Sequence, residues 1–188
     1  MNLIDALTHR RSVPSRLLGE PGPTEAQTRI LLEAALRVPD HGKLAPWRFL
    51  TIRGEARHAL GERLARRALD LDPHTPSAAI DKDRQRFSFA PLVVAVIATP
   101  VEGHKVPVIE QLLSGGAVCF ALLQAAQGLG FGAQWLTGWA AYDRVILDGL
   151  GLAPHEQLLG FIHIGTPSGE VPERLRPALD AKLSDWTP

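Results

Sequence analysis

The sequence predicts a domain of mixed helices and strands, in which helices cover both faces of a small β-sheet. Its 188 residues are 45% hydrophobic and carry 20 basic and 20 acidic side chains, a composition typical of a folded globular chain. Helix-like and strand-like segments alternate along the sequence. Residues 112–142 contain no charged side chain, which indicates a helix and a strand buried in the core.

The same composition argues against several classes of protein. The formal net charge of zero disfavours a nucleic-acid partner, since such proteins usually carry a basic excess. Three glycines between residues 128 and 132 interrupt the uncharged stretch, so a membrane-spanning helix is not expected. Residues 1–7 contain Asp5 and do not resemble a secretory signal, and Cys119 has no second cysteine with which to pair. We therefore expect a single cytoplasmic domain over residues 1–188.

The N-terminal half is predicted to contain three helices and one strand. Residues 2–9 form a short helix in this prediction. Thr24 is the expected N-cap of the second helix, with Gln27 as its capping-box partner, and this helix runs to about Val38, before Pro39. A strand follows over residues 47–52, and a charged amphipathic helix over residues 55–71. Residues 81–89 show no clear period and are expected to be irregular or partly helical.

The C-terminal half is predicted to hold the core. Residues 92–98 form a run without polar alternation, which predicts a strand covered on both faces. Residues 108–127 are rich in Ala and Leu and apolar on nearly every side, which predicts a helix at the centre of the fold. Strands are expected over residues 131–137 and 158–165, with a helix over residues 143–150 between them. The polar tail, residues 168–188, is expected to wrap over a surface.

The glycines of residues 128–132 resemble the Gly-x-Gly-x-x-Ala fingerprint of dinucleotide-binding domains. That fingerprint requires a strand before the glycines and a helix after them, and here the predicted order is reversed. The simpler interpretation is a helix C-terminus that leads into a buried strand. A further interpretation is that the loop lets a planar cofactor approach the backbone. No pair of His or Cys residues has metal-ligand spacing, so no metal site is expected.

Arg10, Arg11 and Ser12 end the first predicted helix, and two interpretations of them remain open. The cations could complement the negative end of the helix dipole. Alternatively, two guanidinium groups and a hydroxyl could bind an anion such as phosphate. Arg16 places a third guanidinium within reach of the same anion.

Four segments in order along the chain resemble the FMN-dependent nitroreductase family. They are Arg10 to Ser12 with Arg16, residues 37–47, residues 104–107 and residues 130–135. The last three resemble one branch of that family, the short NAD(P)H nitroreductases, and the similarity runs from about Leu3 to Pro167. The resemblance implies an α+β, nitroreductase-like fold: a small, mostly antiparallel sheet flanked by helices on both faces, with a central apolar helix.

The resemblance also implies that the protein is a flavin oxidoreductase. It would be a homodimer, with FMN at the subunit interface and NADH or NADPH as the electron donor. In the implied ping-pong reaction the donor gives a hydride to FMN N5, and a nitroaromatic, quinone or other electron-poor small molecule then takes the electrons. Because the cofactor carries this chemistry, no catalytic side chain is expected. Two alternatives remain: a non-catalytic flavin-binding dimer, and a flavin-dependent reductive dehalogenase or dehydrogenase of a specific metabolite.

The resemblance assigns site residues by position. The phosphate and ribityl chain of FMN would be held by Arg10, Arg11 and Ser12. The FMN held mainly by the other subunit would be contacted by Arg37 and His41. The strand end that would pass beside the cofactor consists of Leu136, Thr137 and Gly138. NAD(P)H would meet the segment formed by Ala126, Gln127, Gly128, Leu129, Gly130 and Phe131.

The sequence departs from the family pattern at one cation. Many nitroreductases have a Lys two positions after the motif Ser, near flavin N1, and this chain has Pro14 there. Arg16 is a candidate replacement for that charge. The family's basic residue near the C-terminus has no clear counterpart, and Arg174 and Arg176 are the candidates for it.

Overall fold

The computed structural model describes residues 2–188, and Met1, which the expected domain includes, lies outside them. The α-helices are α1 Leu3–Thr8, α2 Glu25–Ala35, α3 Glu55–Leu71, α4 Ser77–Arg84, α5 Val108–Gly128 and α6 Arg144–Gly149. The strands are β1 Leu18–Gly19, β2 Trp47–Arg53, β3 Leu92–Ala98, β4 Gly132–Leu136 and β5 Gln157–Pro167. Strand β1 was not predicted from the sequence, and only residues 81–84 of α4 fall within the region 81–89 that was expected to be irregular or partly helical.

The strands form one sheet in which every described pair is antiparallel. Their order is β1-β5-β3-β2, and β4 also pairs with β5. Every residue of β3 is buried, because β2 and β5 cover its two edges and helices cover its two faces. This sheet confirms the mostly antiparallel arrangement that the family resemblance implies.

Alternate residues of the central strands point into two separate cores. On one face, Val94 of β3 and Ile162 of β5 pack among residues of α2 and α5. On the other face, Val93 and Phe161 pack among residues of α3 and α6. Helices therefore flank both faces of the sheet, as the alternation of segments predicts.

Helix α5 is the central apolar helix, but protein surrounds only one side of it. Val118 and Leu122 are fully buried in the core. On the outward side Ile109, Leu113 and Phe120 are 61%, 66% and 43% exposed. By length and composition alone α5 could cross a membrane, with 39% of its apolar window buried. Its sequence is apolar on nearly every side, as predicted, yet one apolar face stays open in a single chain.

Local signals set the ends of α2. Thr24 Oγ1 accepts from the Gln27 backbone N–H at 3.2 Å, and Gln27 Oε1 accepts from the Thr24 N–H at 2.9 Å. This is the predicted capping box. The helix ends at Ala35, three residues before the predicted end at Val38. Pro39 disfavours a helical conformation at the residue before it, so the last turn does not extend to Val38.

Candidate functional site

The segment with Arg10, Arg11 and Ser12 leaves α1 and runs beside β4. The Val13 N–H donates to the Ala133 carbonyl at 3.0 Å, and the Ser15 N–H donates to Gln134 Oε1 at 2.6 Å. These two bonds fix the segment to the first half of β4. The order of α5, loop and β4 agrees with the interpretation of the glycines as a helix end that leads into a strand.

Three guanidinium groups lie together at this segment, those of Arg10, Arg11 and Arg176, and we call them the guanidinium cluster. Arg10 Nη1 donates to Ser12 Oγ at 3.2 Å. The Arg10 carbonyl accepts from Arg11 Nη1 at 3.0 Å and from Arg176 Nη2 at 3.5 Å. Burial, and then repulsion by Arg176 and Arg11, lower the pKa of Arg10. Glu173 forms an ion pair with Arg11, so this cluster keeps two net positive charges that an anion would offset.

A cleft of about 610 Å³ lies just beyond this segment, between α4 and the end of β4. Its volume is within the range usual for small-molecule sites, roughly 300–1,000 Å³. Phe89 and Leu136 give it apolar walls, and Arg16 adds a positive charge. The residues of α4 and of the turn that follows it also line the cleft: Ala78, Asp81, Lys82, Gln85 and Arg86. Leu136 and Arg16 were singled out from the sequence, whereas these five residues were not.

Gly138 and Arg86 meet beside this cleft. Gly138 has φ +76°, and a Cβ there would lie 2.9 Å from Arg86 Nη1. Arg86 Nη2 donates to Asp83 Oδ1 at 2.6 Å, and Asp83 Oδ2 accepts from Trp139 Nε1 at 3.1 Å. The spacing of Asp83 and Arg86 suits a helical ion pair, but no signal in the sequence indicates the bond to Trp139.

These groups suit the cofactor that the family resemblance implies. A phosphate dianion needs cations, and the guanidinium cluster supplies an excess of them. A flat ring needs an apolar slot with close backbone. Phe89 and Leu136 supply apolar walls for this slot, and glycine at position 138 leaves room for the Arg86 guanidinium that lines it. The residues present therefore fit FMN.

Arg37 and His41 lie far from the guanidinium cluster. His41 Nδ1 is 2.6 Å from Glu110 Oε2 in the first turn of α5, and Arg37 is exposed just before this region. At the other end of α5, Gln127 Nε2 donates to the Ala6 carbonyl at 3.1 Å, next to the segment with Arg10. The 21 residues of α5 span about 30 Å. A single chain therefore does not bring the two groups together.

The segment predicted to meet NAD(P)H forms the turn from α5 into β4. The Phe131 N–H donates to the Ala126 carbonyl at 2.9 Å, and residues 128–130 are exposed. Gln127 and Phe131 share a small cleft of about 190 Å³ with Arg11. The structure thus places this segment next to the guanidinium cluster.

Two buried groups near the sheet are kept neutral. His163 on β5 stacks on Phe87 with ring centroids 5.6 Å apart. Burial, and then the charge of Arg86, lower the His163 pKa to about 4. Burial raises the pKa of the Cys119 thiol to about 12, as is usual for a cysteine packed in the apolar core.

Comparisons with known proteins bear on the family and the fold. A sequence model described as the nitroreductase family matches residues 7–166. The "Putative NAD(P)H nitroreductase YdjA" of Escherichia coli K12 is 35% identical over 188 residues, which cover 100% of this chain and 97% of that protein. The "Nitroreductase-like Family Protein" of Bacillus cereus has a TM-score of 0.83 at 20% identity, covering 98% of this chain and 96% of that one. A "putative nitroreductase in complex with fmn" from Desulfovibrio desulfuricans has a TM-score of 0.74 at 25% identity, covering 100% and 99%.

Proposed function

The chain belongs to the nitroreductase family, and from that premise we propose that it is an FMN-dependent NAD(P)H oxidoreductase. Its acceptors in this proposal are nitroaromatics, quinones or other electron-poor small molecules, reduced by a ping-pong mechanism. The observation that carries the proposal is the position of the guanidinium cluster beside a cleft with apolar walls at Phe89 and Leu136 and with Arg16 and Arg86 in its lining. The similar protein solved with FMN supports the choice of cofactor.

Bound FMN would supply the redox chemistry, accepting a hydride from NADH or NADPH and passing electrons to the acceptor. The protein's own residues bind and orient. Arg10, Arg11 and Ser12 would hold the phosphate through charge-assisted hydrogen bonds, and Arg176 would complete their site. Leu136, Thr137 and Gly138 would line one side of the ring.

Arg86 is our proposed replacement for the cation that is missing at Pro14. It lines the cleft together with Arg16, and its guanidinium is held by Asp83 against Gly138. A fixed positive charge beside the ring would stabilise negative charge that collects there during reduction. Arg176 lies at the other group of cations, beside Arg10, where a phosphate contact suits it better.

We also propose a homodimer in which two α5 helices pack antiparallel through their outward apolar faces. This packing would cover Leu113 and Phe120. It would also bring the His41 end of one α5 to the Arg10 end of the other, so that Arg37 and His41 could reach the cofactor held mainly by the partner. The family resemblance implies the same shared site. Segment 126–131, of which residues 128–130 are exposed, lies beside Arg11 and would then receive NAD(P)H.

The remaining proposals concern organisation and location. The family match over residues 7–166 supports one nitroreductase-like domain over residues 1–188. The balanced charge and the lone, buried Cys119 support a cytoplasmic protein that does not bind nucleic acid or membranes.

The purified protein should be yellow, and anaerobic NADH or NADPH should bleach its flavin absorbance. A stopped-flow titration with each nucleotide would identify the preferred donor. A colourless protein that takes up no added FMN would contradict the proposal. A yellow protein that neither nucleotide reduces would favour the non-catalytic flavin-binding dimer, an alternative that the absent Lys at position 14 keeps open.

Replacing Arg10 by Ala should weaken FMN binding by roughly 1.5–3 kcal/mol, because a charge-assisted bond to the phosphate is lost. Fluorescence titration of the flavin-free protein would measure the change. Arg29→Ala is the matched control, since Arg29 is an exposed cation on α2 whose partner is Glu33. Equal FMN affinity in both variants would reject the assignment of Arg10.

A further inference from the structure

The chain after β5 crosses the segment that carries the guanidinium cluster. The Ser168 N–H donates to the Leu17 carbonyl at 2.8 Å, and Val171 packs against the buried group formed by Val13, Leu18 and Ala90. Beyond Val171 come the ion pair of Glu173 with Arg11 and the contact of Arg176 with the Arg10 carbonyl. We call residues 168–176 the strap.

The strap brings one positive and one negative side chain to the segment that carries Arg10 and Arg11. Arg176 adds a cation next to Arg10, and Glu173 adds a carboxylate to Arg11. The guanidinium group offers donors in a fixed planar fork that matches carboxylate and phosphate oxygens equally well. The Glu173 carboxylate therefore engages donors that a phosphate would otherwise use.

The two partners differ in how freely they can separate. The Arg11 side chain is 21% exposed and the Glu173 side chain is 58% exposed. Glu173 can therefore turn into water while Arg11 stays in place. Val171 keeps the strap attached, so Arg176 need not leave when Glu173 does.

We propose that Glu173 is a tethered competitor for Arg11, which a phosphate monoester must displace in order to bind. Arg176, on the same strap, stays and contacts the incoming phosphate. Glu173 thus sets the affinity and the salt dependence of cofactor binding. The inference rests on the proposed function, since FMN supplies the phosphate monoester.

The test compares FMN and riboflavin, which lacks the phosphate, as ligands of the full-length flavin-free chain. Glu173→Gln should bind FMN about two- to five-fold more tightly than wild type, the range expected for a partly exposed ion pair. Riboflavin affinity should not change. The titrations belong at about 20 mM salt, and the gain should shrink at about 0.5 M salt because exposed charges are then screened.

Glu170→Gln is the matched control. It removes the same charge from the same strap, and Glu170 has no ion pair with any residue in the described range 2–188. Its effect on FMN affinity should be smaller than that of Glu173→Gln.

With the flavin ligands, the inference would be overturned by an equal effect of the two variants, by weaker FMN binding to Glu173→Gln, or by an equal gain in riboflavin affinity. Inorganic phosphate is the second probe, because its binding does not depend on the flavin. The wild-type protein could bind phosphate more weakly than the Glu173→Gln variant while neither protein binds FMN. That result would support the role of Glu173 and reject only the proposed function. Phosphate binding equal in the two proteins would reject the role of Glu173.

Discussion

Gly138 is the residue where the backbone and a fixed cation of the cleft come together. Its φ of +76° favours glycine, and a Cβ there would lie 2.9 Å from Arg86 Nη1, so that the guanidinium would have to shift. Asp83 accepts hydrogen bonds from this guanidinium and from Trp139 Nε1, and it thereby holds Arg86 in place. Any side chain at position 138 must therefore strain the backbone and displace Arg86.

Gly138→Ala should weaken FMN binding while lowering the free energy of unfolding by about 1–3 kcal/mol, the usual cost of a strained backbone conformation. Gly151→Ala is the control, since Gly151 also has positive φ, at +78°, but has open space where a Cβ would go. Flavin fluorescence and urea unfolding would measure the two effects. Equal losses of FMN affinity in both variants would show that Arg86 does not act on the cofactor.

At the scale of elements, β4 supports the segment that carries Arg10 and Arg11. The start of β4 is Gly132, and a Cβ on it would lie 2.8 Å from Leu18 Cδ2 and 2.9 Å from Val13 Cγ2. One interpretation of the loop at residues 128–132 is that it lets a planar cofactor approach the backbone. The structure also gives Gly132 a packing role, since the absence of a side chain lets β4 lie close to Leu18 and Val13.

Gly132→Ala should lower the free energy of unfolding by roughly 1–3 kcal/mol, because the added methyl group overpacks a full site. It should also weaken FMN binding, since the displaced strand moves the bond partners of Val13 and Ser15. Gly19→Ala on β1, where a Cβ would contact nothing within 4 Å, should change stability little. Chemical denaturation would measure the free energy of unfolding of both variants. Equal values for the two would contradict close packing at Gly132.

At the scale of the whole molecule, the open face of α5 is the surface through which we propose that the site is completed. Leu113 is 66% exposed there, although it lies on the most apolar helix of the described chain. Burying such a face against a second copy gains hydrophobic free energy, at about 25 cal/mol per Å². The same contact would complete the site with Arg37 and His41.

Leu113→Asp should produce a monomer that binds FMN more weakly than wild type, because a charge in an apolar interface is costly. Leu71→Asp is the matched control, since Leu71 is similarly exposed, at 58%, but lies at the end of α3. Light scattering would report the mass and fluorescence the FMN affinity. A Leu113→Asp dimer with full FMN affinity would exclude this interface.

The elements that the sequence predicted well carry local signals. The charged amphipathic period predicted α3 over residues 55–71, and the β-branched run predicted β3. In contrast, β1 has two residues and is defined by its pairing with β5, and α4 is short and carries little apolar surface. The site residues also differ in whether a local sequence signal marks them. Arg10 to Ser12 form a contiguous motif. The roles that we propose for Arg86 and Glu173 depend instead on their closeness to Gly138 and Arg11, which are distant in the chain.

His41 and Arg10 stand at opposite ends of α5, and this separation has a genetic consequence. If each site takes Arg10 from one chain and His41 from the other, a mixed dimer of an Arg10→Ala chain and a His41→Ala chain contains one intact site and one doubly defective site. Two inactive variants would then complement each other when their subunits exchange, and about a quarter of all sites in an equal mixture would be restored. Heterozygous cells carrying both alleles would regain activity that neither allele provides alone.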